Sequence, residues 1–192
     1  MEAAPPAPRK VMVVADPGRE STGALQWVLS HAVLDRDEIV LLHVEAHVLR
    51  RNSFSNFLKR AQSHPPSAST SSASMSERCC NGEPDFLESM RLRCVSAQPR
   101  VHVQIEKVEM EGGRDKAATI LFQCNKRGID LLVIGQRRTT SFLSRKLSST
   151  SYDLAECLIE NSRCQCIGVQ KKGQNAGYLL NSKTHKNFWL LA

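Results

Sequence analysis

The sequence predicts an α/β fold, a parallel sheet with helices on both faces. Three observations carry that expectation. Residues 11–15 (VMVVA), 39–44 (IVLLHV) and 131–134 (LLVI) are apolar runs without alternation, the pattern of strands buried on both faces. The segments between strands place apolar residues at helical spacing. Turn and cap residues separate the two kinds of segment, as in Asp16-Pro17-Gly18 and Gly112-Gly113.

Strand one, residues 11–15, ends on the carboxylate of Asp16. Ser21 is the expected cap of the following helix, whose face reads Ala24, Leu25, Val28, His31 and Ala32, with Trp27 flanking it. Residues 35–38 break the helix. Strand two is 39–44, and its lone imidazole, His43, is expected as a hydrogen-bonded core histidine. Residues 50–60 are basic with Phe54, Phe57 and Leu58 interleaved. Residues 63–82 hold seven serines and two prolines and read as a flexible insertion.

Pro84 suits a first helical position, and Phe86, Leu87, Met90 and Cys94 form one helix face. Val101, Val103 and Ile105 alternate with polar residues, so the third strand is expected at an edge. Asp115 caps the next helix, with Ala117, Ile120, Leu121 and Cys124 on one side and Gly128 as its stop. Residues 131–134 are strand four. Thirteen residues, 136–148, follow Gly135 with Arg137, Arg138, Arg145 and Lys146 and no acid. Ser148, Ser149, Thr150 and Ser151 stand where a fourth helix should start, before Leu154 and Leu158. A basic loop leading to a helix N-terminus suits an anion; a solvated surface loop is the competing reading. Residues 166–169 make a fifth strand. Five strands alternating with helices imply right-handed crossovers, with ligands beyond the carboxyl ends of the strands.

The chain has 192 residues, a formal charge of +7 and 41% hydrophobic residues. Its mean hydropathy is -0.31. It divides into a leader (1–8), one domain (9–170) with the serine-rich insertion 63–82, and a basic then apolar tail (171–192). No run reaches a membrane span of about 18 residues, and the N-terminus has no secretory h-region. Seven cysteines without metal-ligand spacing read as reduced thiols of an intracellular protein. Nucleic acid is not an expected partner, because the positive charges are spread over several segments and only residues 50–60 combine them with aromatics.

VMVVADPGRES, IVLLHV and LLVIGQ with its long loop resemble the universal stress protein family, in the form plants carry. The tail GYLLNSKTHKNFWLLA is similar to the ending of plant members. The resemblance covers most of residues 9–192. It implies a doubly wound five-stranded sheet of order 3-2-1-4-5, a role in stress response, a cytoplasmic location with the nucleus as a second one, and homodimers through strand five. It further implies ATP or another adenine nucleotide, with Mg2+, in the crevice between strands one and four. Nucleotide-binding members carry G-x2-G-x9-G-[S/T] after strand four. Here Gly135 matches, Arg138 and Ser148 stand in place of the other two glycines, and Ser149 matches the hydroxyl. The implied nucleotide-binding residues are Ala15, Asp16, Val44, Gly135, Arg137, Arg138, Ser148, Ser149 and Thr150.

Glycine permits close backbone approach to phosphate, so its two replacements predict weakened binding, although the Arg138 guanidinium can grip phosphate directly. No catalytic constellation or metal cluster is legible, so ATP hydrolysis is expected to be weak at most. The alternative is a nucleotide-free interaction module of the same fold. Kinases are the partners it would need, since basic-basic-x-Ser/Thr patterns point to phosphorylation at Ser53, Thr140 and Ser148.

Overall fold

The computed structural model describes residues 8–45, 85–110, 113–137, 153–173 and 177–190. All belong to one unit built from residues 1–46 and 84–192. The basic segment 50–60, the insertion 63–82, Pro84 and residues 138–152 lie outside the described residues, together with Ser53, Arg138, Thr140, Ser148, Ser149 and Thr150.

In chain order the elements are β1 (Lys10–Val14), α1 (Arg19–Trp27), a π-helical turn (Val28–Ala32), β2 (Glu38–Glu45), α2 (Phe86–Ala97), β3 (His102–Glu109), α3 (Lys116–Arg127), β4 (Leu131–Gly135), α4 (Leu154–Asn161), β5 (Gln165–Lys171), β6 (Tyr178–Asn181) and β7 (Phe188–Leu190). The sheet order is β3-β2-β1-β4-β5-β6-β7. The first five strands pair in parallel, in the predicted doubly wound order 3-2-1-4-5. Two antiparallel strands from the tail extend it.

Strand alternation divides the core into two layers. Val11 and Val13 face α1 and α2 with Leu25, Trp27, Leu87 and Met90. Met12 and Val14 face α3 and α4 with Ile120, Leu132 and Leu158. The central strands β1 and β4 are buried along nearly their whole length, which is why their sequences do not alternate. β3 is an edge strand with a half-exposed pattern, as its alternation predicts.

The caps follow local chemistry. Asp115 accepts the Ala118 N–H at 2.7 Å, and Gly128 ends α3 in the left-handed conformation at φ 61°. Two expected caps are corrected. The N-cap of α1 is Gly18; Ser21 lies inside the first turn, and its hydroxyl accepts the Asp16 N–H at 3.0 Å. The N-cap of α4 is Asp153, which accepts from Ala155, so this helix starts later than the Ser148–Ser151 segment. Asp85 caps α2, where Pro84 was expected to begin it.

In the break before β2, Asp35 and Arg36 are exposed while Asp37 turns inward. Asp37 is buried, paired with Arg9 at 2.6 Å, and accepts the Leu34 N–H at 3.0 Å. Trp27 is likewise buried in the core rather than flanking it. The π turn after it closes with the Val33 N–H on the Val28 carbonyl at 3.1 Å. It turns His31 edge-on to Tyr178 of β6, with ring centroids 5.7 Å apart.

The tail docks on the sheet by backbone pairing. β6 pairs with β5 from Gly168↔Asn181 to Lys171↔Tyr178, and β7 pairs with β6. Phe188 and Trp189 nonetheless remain 53% exposed, because a short outer strand covers little with its side chains. β5 has β4 on one side, and on the other its residues 168–171 pair with β6 of the same chain, so a homodimer through strand five would have to use what that edge leaves open.

Candidate functional site at the carboxyl ends of β1, β2 and β4

The order of strands reverses between β1 and β4, which makes the space beyond their carboxyl ends the switch-point crevice of this sheet. Register brings three predicted residues there. Val14 pairs with Leu42, so Asp16 and Val44 follow two residues on in neighbouring strands. Val13 pairs with Val133, so Ala15 and Gly135 follow in the same way. Adjacent strands lie about 4.8 Å apart, and Asp16, Val44 and Gly135 therefore share one crevice.

Ala15 is fully buried, with its N–H on the Leu42 carbonyl at 2.8 Å. Its carbonyl lies 2.7 Å from His43 Nδ1. A carbonyl only accepts, so that ring nitrogen carries a proton. His43 is thus hydrogen-bonded, as expected, but it borders the site: Nδ1 is also 3.5 Å from Asp16 Oδ1. Phe86 packs edge-on to its ring at 5.0 Å.

The Asp16 carboxylate meets a partner that sequence reasoning missed. Lys116 Nζ donates to both carboxylate oxygens, at 2.7 and 2.6 Å. Lys116 is the first residue of α3, and a cation there opposes the positive end of the helix dipole. That misplaced charge was the available signal that an acid must lie nearby.

Gly135 has a structural duty. A Cβ there would stand 2.4 Å from the carbonyl carbon and oxygen of Glu20 and 2.9 Å from the Ser21 nitrogen. The first turn of α1 rests directly on this glycine, so backbone packing alone requires it. Next to it, the Gln136 N–H donates to the Val169 carbonyl at 2.8 Å, and its side chain accepts from Asn181 of β6 at 2.6 Å. Arg137 points into solvent, 87% exposed, and its ion-pair contact among the described residues is with Glu20 at 3.7 Å.

These groups suit part of an adenine nucleotide. Asp16, about one-third exposed, offers acceptors to hydroxyl or amine donors, and Arg137 is an unburied cation for phosphate. They do not by themselves build a magnesium site, since Asp16 is held by Lys116 and Glu20 faces Arg137. Among the described residues no three His, Cys, Asp or Glu side chains gather to hold a metal ion. Among them, too, no helix is long and apolar enough to cross a membrane.

Fold and crevice together define a doubly wound α/β module of the kind that binds ligands at its switch point. The chain belongs to the universal stress protein family, whose model matches residues 8–164. Solved structures with the same fold include the hypothetical protein MJ0577, whose biochemical function was assigned from its structure. It is 18% identical, with a TM-score of 0.55 over 86% of this chain and 98% of that one. A universal stress protein family protein from Arabidopsis thaliana with AMP bound is 16% identical, with a TM-score of 0.52 over 86% and 94%. A universal stress protein in complex with cAMP is 14% identical, with a TM-score of 0.50 over 86% and 98%. No curated protein matches the sequence significantly.

Proposed function

We propose that this chain is an adenine-nucleotide-binding stress-response module. ATP, with Mg2+ carried on its phosphates, would occupy the crevice between β1 and β4. The observation that carries the reading is the convergence of Asp16, Val44 and Gly135 at the carboxyl ends of three adjacent strands, with Arg137 beside them. AMP and cAMP in two structures of this fold support the ligand class. Asp16 would take the adenosine, while Arg137, Arg138, Ser148, Ser149 and Thr150 would meet the phosphates. Binding would be weak, because Arg138 and Ser148 replace motif glycines.

Calorimetric titration of ATP, AMP and cAMP into the full chain tests this. Millimolar or tighter binding that is lost in Asp16→Ala is the expected result. No heat with any of the three at millimolar concentration would overturn it.

A second reading is a nucleotide-free interaction module controlled by phosphorylation. Two observations favour it: Lys116 already satisfies Asp16, and α1 packing alone accounts for Gly135. Under this reading Arg138→Gly/Ser148→Gly would create ATP binding that the native chain lacks. If the native chain does bind, Ser148→Glu would weaken it by placing negative charge where phosphate would lie.

A further inference from the structure

A cavity of about 400 Å³ lies over the carboxyl end of β5, and neither Asp16, Val44 nor Gly135 lines it. α4 forms one wall with Glu156, Ile159 and Glu160. β6 and the turn into β7 form another with Leu179, Lys183 and Lys186. That turn is braced from within: the Asn187 N–H donates to Asn181 Oδ1 at 2.6 Å, and the Ser182 N–H to the His185 carbonyl at 2.7 Å. The bracing fixes the loop that carries both lysines.

Gln170 also lines the cavity. Alternation along β5 sets its side chain. Cys166 packs in the layer of α3 and α4, and Val169 in the layer of α1, so Gln170 shares the face of Cys166, under α4. Gln170 is only 8% exposed, yet its amide makes no hydrogen bond among the described residues. Its polar atoms are not fully covered either, unlike the orphaned Trp27 Nε1 and Arg127 Nε. The amide therefore looks into the cavity, and a buried amide calls for a partner. The charges around it balance. Glu156 and Glu160 stand one turn apart on α4, and Lys183 and Lys186 on the turn. Among the described residues none of these four side chains forms an ion pair or hydrogen bond. Opposite charges that line one cavity without closing on each other leave a gap for a ligand that carries both. A purely anionic ligand would meet the glutamates, and a purely cationic one the lysines.

We propose that this cavity binds a di- or tripeptide with free termini. Its ammonium meets Glu156 and Glu160, its carboxylate meets Lys183 and Lys186, and a peptide group meets Gln170. A primary amide donates and accepts, which matches the N–H and C=O of a peptide bond. Two extended residues span about 7 Å, enough to separate the two charged ends. Leu179 and Ile159 offer apolar surface to a side chain. The volume falls within the range of about 300–1,000 Å³ for small-molecule sites. A free amino acid has both charges but no peptide group for Gln170. A segment inside a longer chain has the peptide group but not the charged ends.

Calorimetric titration of alanyl-leucine and alanyl-leucyl-alanine into the full chain tests this. Millimolar or tighter binding is the expected result. Acetylating the amino end or amidating the carboxyl end should each weaken it about 10-fold or more, the worth of a hydrogen bond to a charged group. Glu156→Gln with Glu160→Gln should weaken the free peptide but not the acetylated one. Lys183→Met with Lys186→Met should weaken the free peptide but not the amidated one. All four residues are exposed, so these variants keep the fold. Gln170→Leu should remove binding. Because Gln170 is buried, that variant is checked by thermal melting, and the shift of the Gln170 side-chain amide resonance on adding peptide to the native chain gives a readout without it. Asp16→Ala, which tests the nucleotide crevice, should leave peptide binding unchanged. No binding of either peptide at millimolar concentration, or an affinity indifferent to blocked ends and to both exposed pairs, would overturn the proposal.

Discussion

Lys116 donates both of its short contacts to Asp16 across 100 residues of sequence, tying the start of α3 to the end of β1. Any ligand donor that approaches Asp16 has to compete with that ammonium. Lys116→Met should therefore open the carboxylate and tighten adenosine binding several-fold, read by calorimetry. The pair is about one-third exposed, so stability should move by no more than about 1 kcal/mol. Unchanged or weaker adenosine affinity would show that Lys116 does not compete for Asp16.

Gly135 and Gly168 make a matched pair of tests. Alanine at Gly135 would drive a methyl into the Glu20 backbone at 2.4 Å, which cannot yield without moving α1. A loss of about 2–4 kcal/mol is expected, at or above the usual cost of overpacking. Alanine at Gly168 would meet the Gln136 side chain at 2.7 Å, which can swing aside. Its cost should stay near 1 kcal/mol, mostly the lost Gln136–Asn181 bond. Urea unfolding of both variants measures the contrast.

The buried thiols set a pH dependence of known sign. Cys94 and Cys166 are pushed up to about 11 and about 12 by burial. The unfolded chain ionises them near pH 8.5 while the fold keeps them neutral, so their contribution is complete below about 8.5 and is lost as pH rises toward 11, at up to ~1.4 kcal/mol per pH unit each. Unfolding under reductant should show falling stability above pH 8.5, with a shallower fall in Cys94→Ala. A flat alkaline limb would contradict this account.

Removing residues 174–192 should uncover the β5 edge. β6 supplies the pairing of Gly168 through Lys171, and without it that strand presents free backbone groups. The truncated chain should self-associate with concentration in sedimentation more strongly than the full chain does. Truncation also removes Tyr178 from the core and uncovers its neighbours, so a lower melting temperature is expected alongside. A truncated chain that stays monomeric would show that the exposed edge is not adhesive.

Much of this protein was determined by its sequence alone. Uninterrupted apolar runs made β1, β2 and β4 central, alternation put β3 at the edge, and Asp115 and Gly128 marked the ends of α3. These features are local: burial on one or two faces imposes a period, and caps answer to groups three or four residues away. Asp16, Val44 and Gly135 could be placed together because the family resemblance implied the strand order, and the switch point follows from that order. Only the tertiary structure decided what those residues touch. Lys116 reaches Asp16, the Glu20 backbone presses on Gly135, and the tail closes the sheet beyond β5. Each of these depends on where one packed element lies against another. A local hydrophobic period records that a face is buried, but not which distant residue it is buried against.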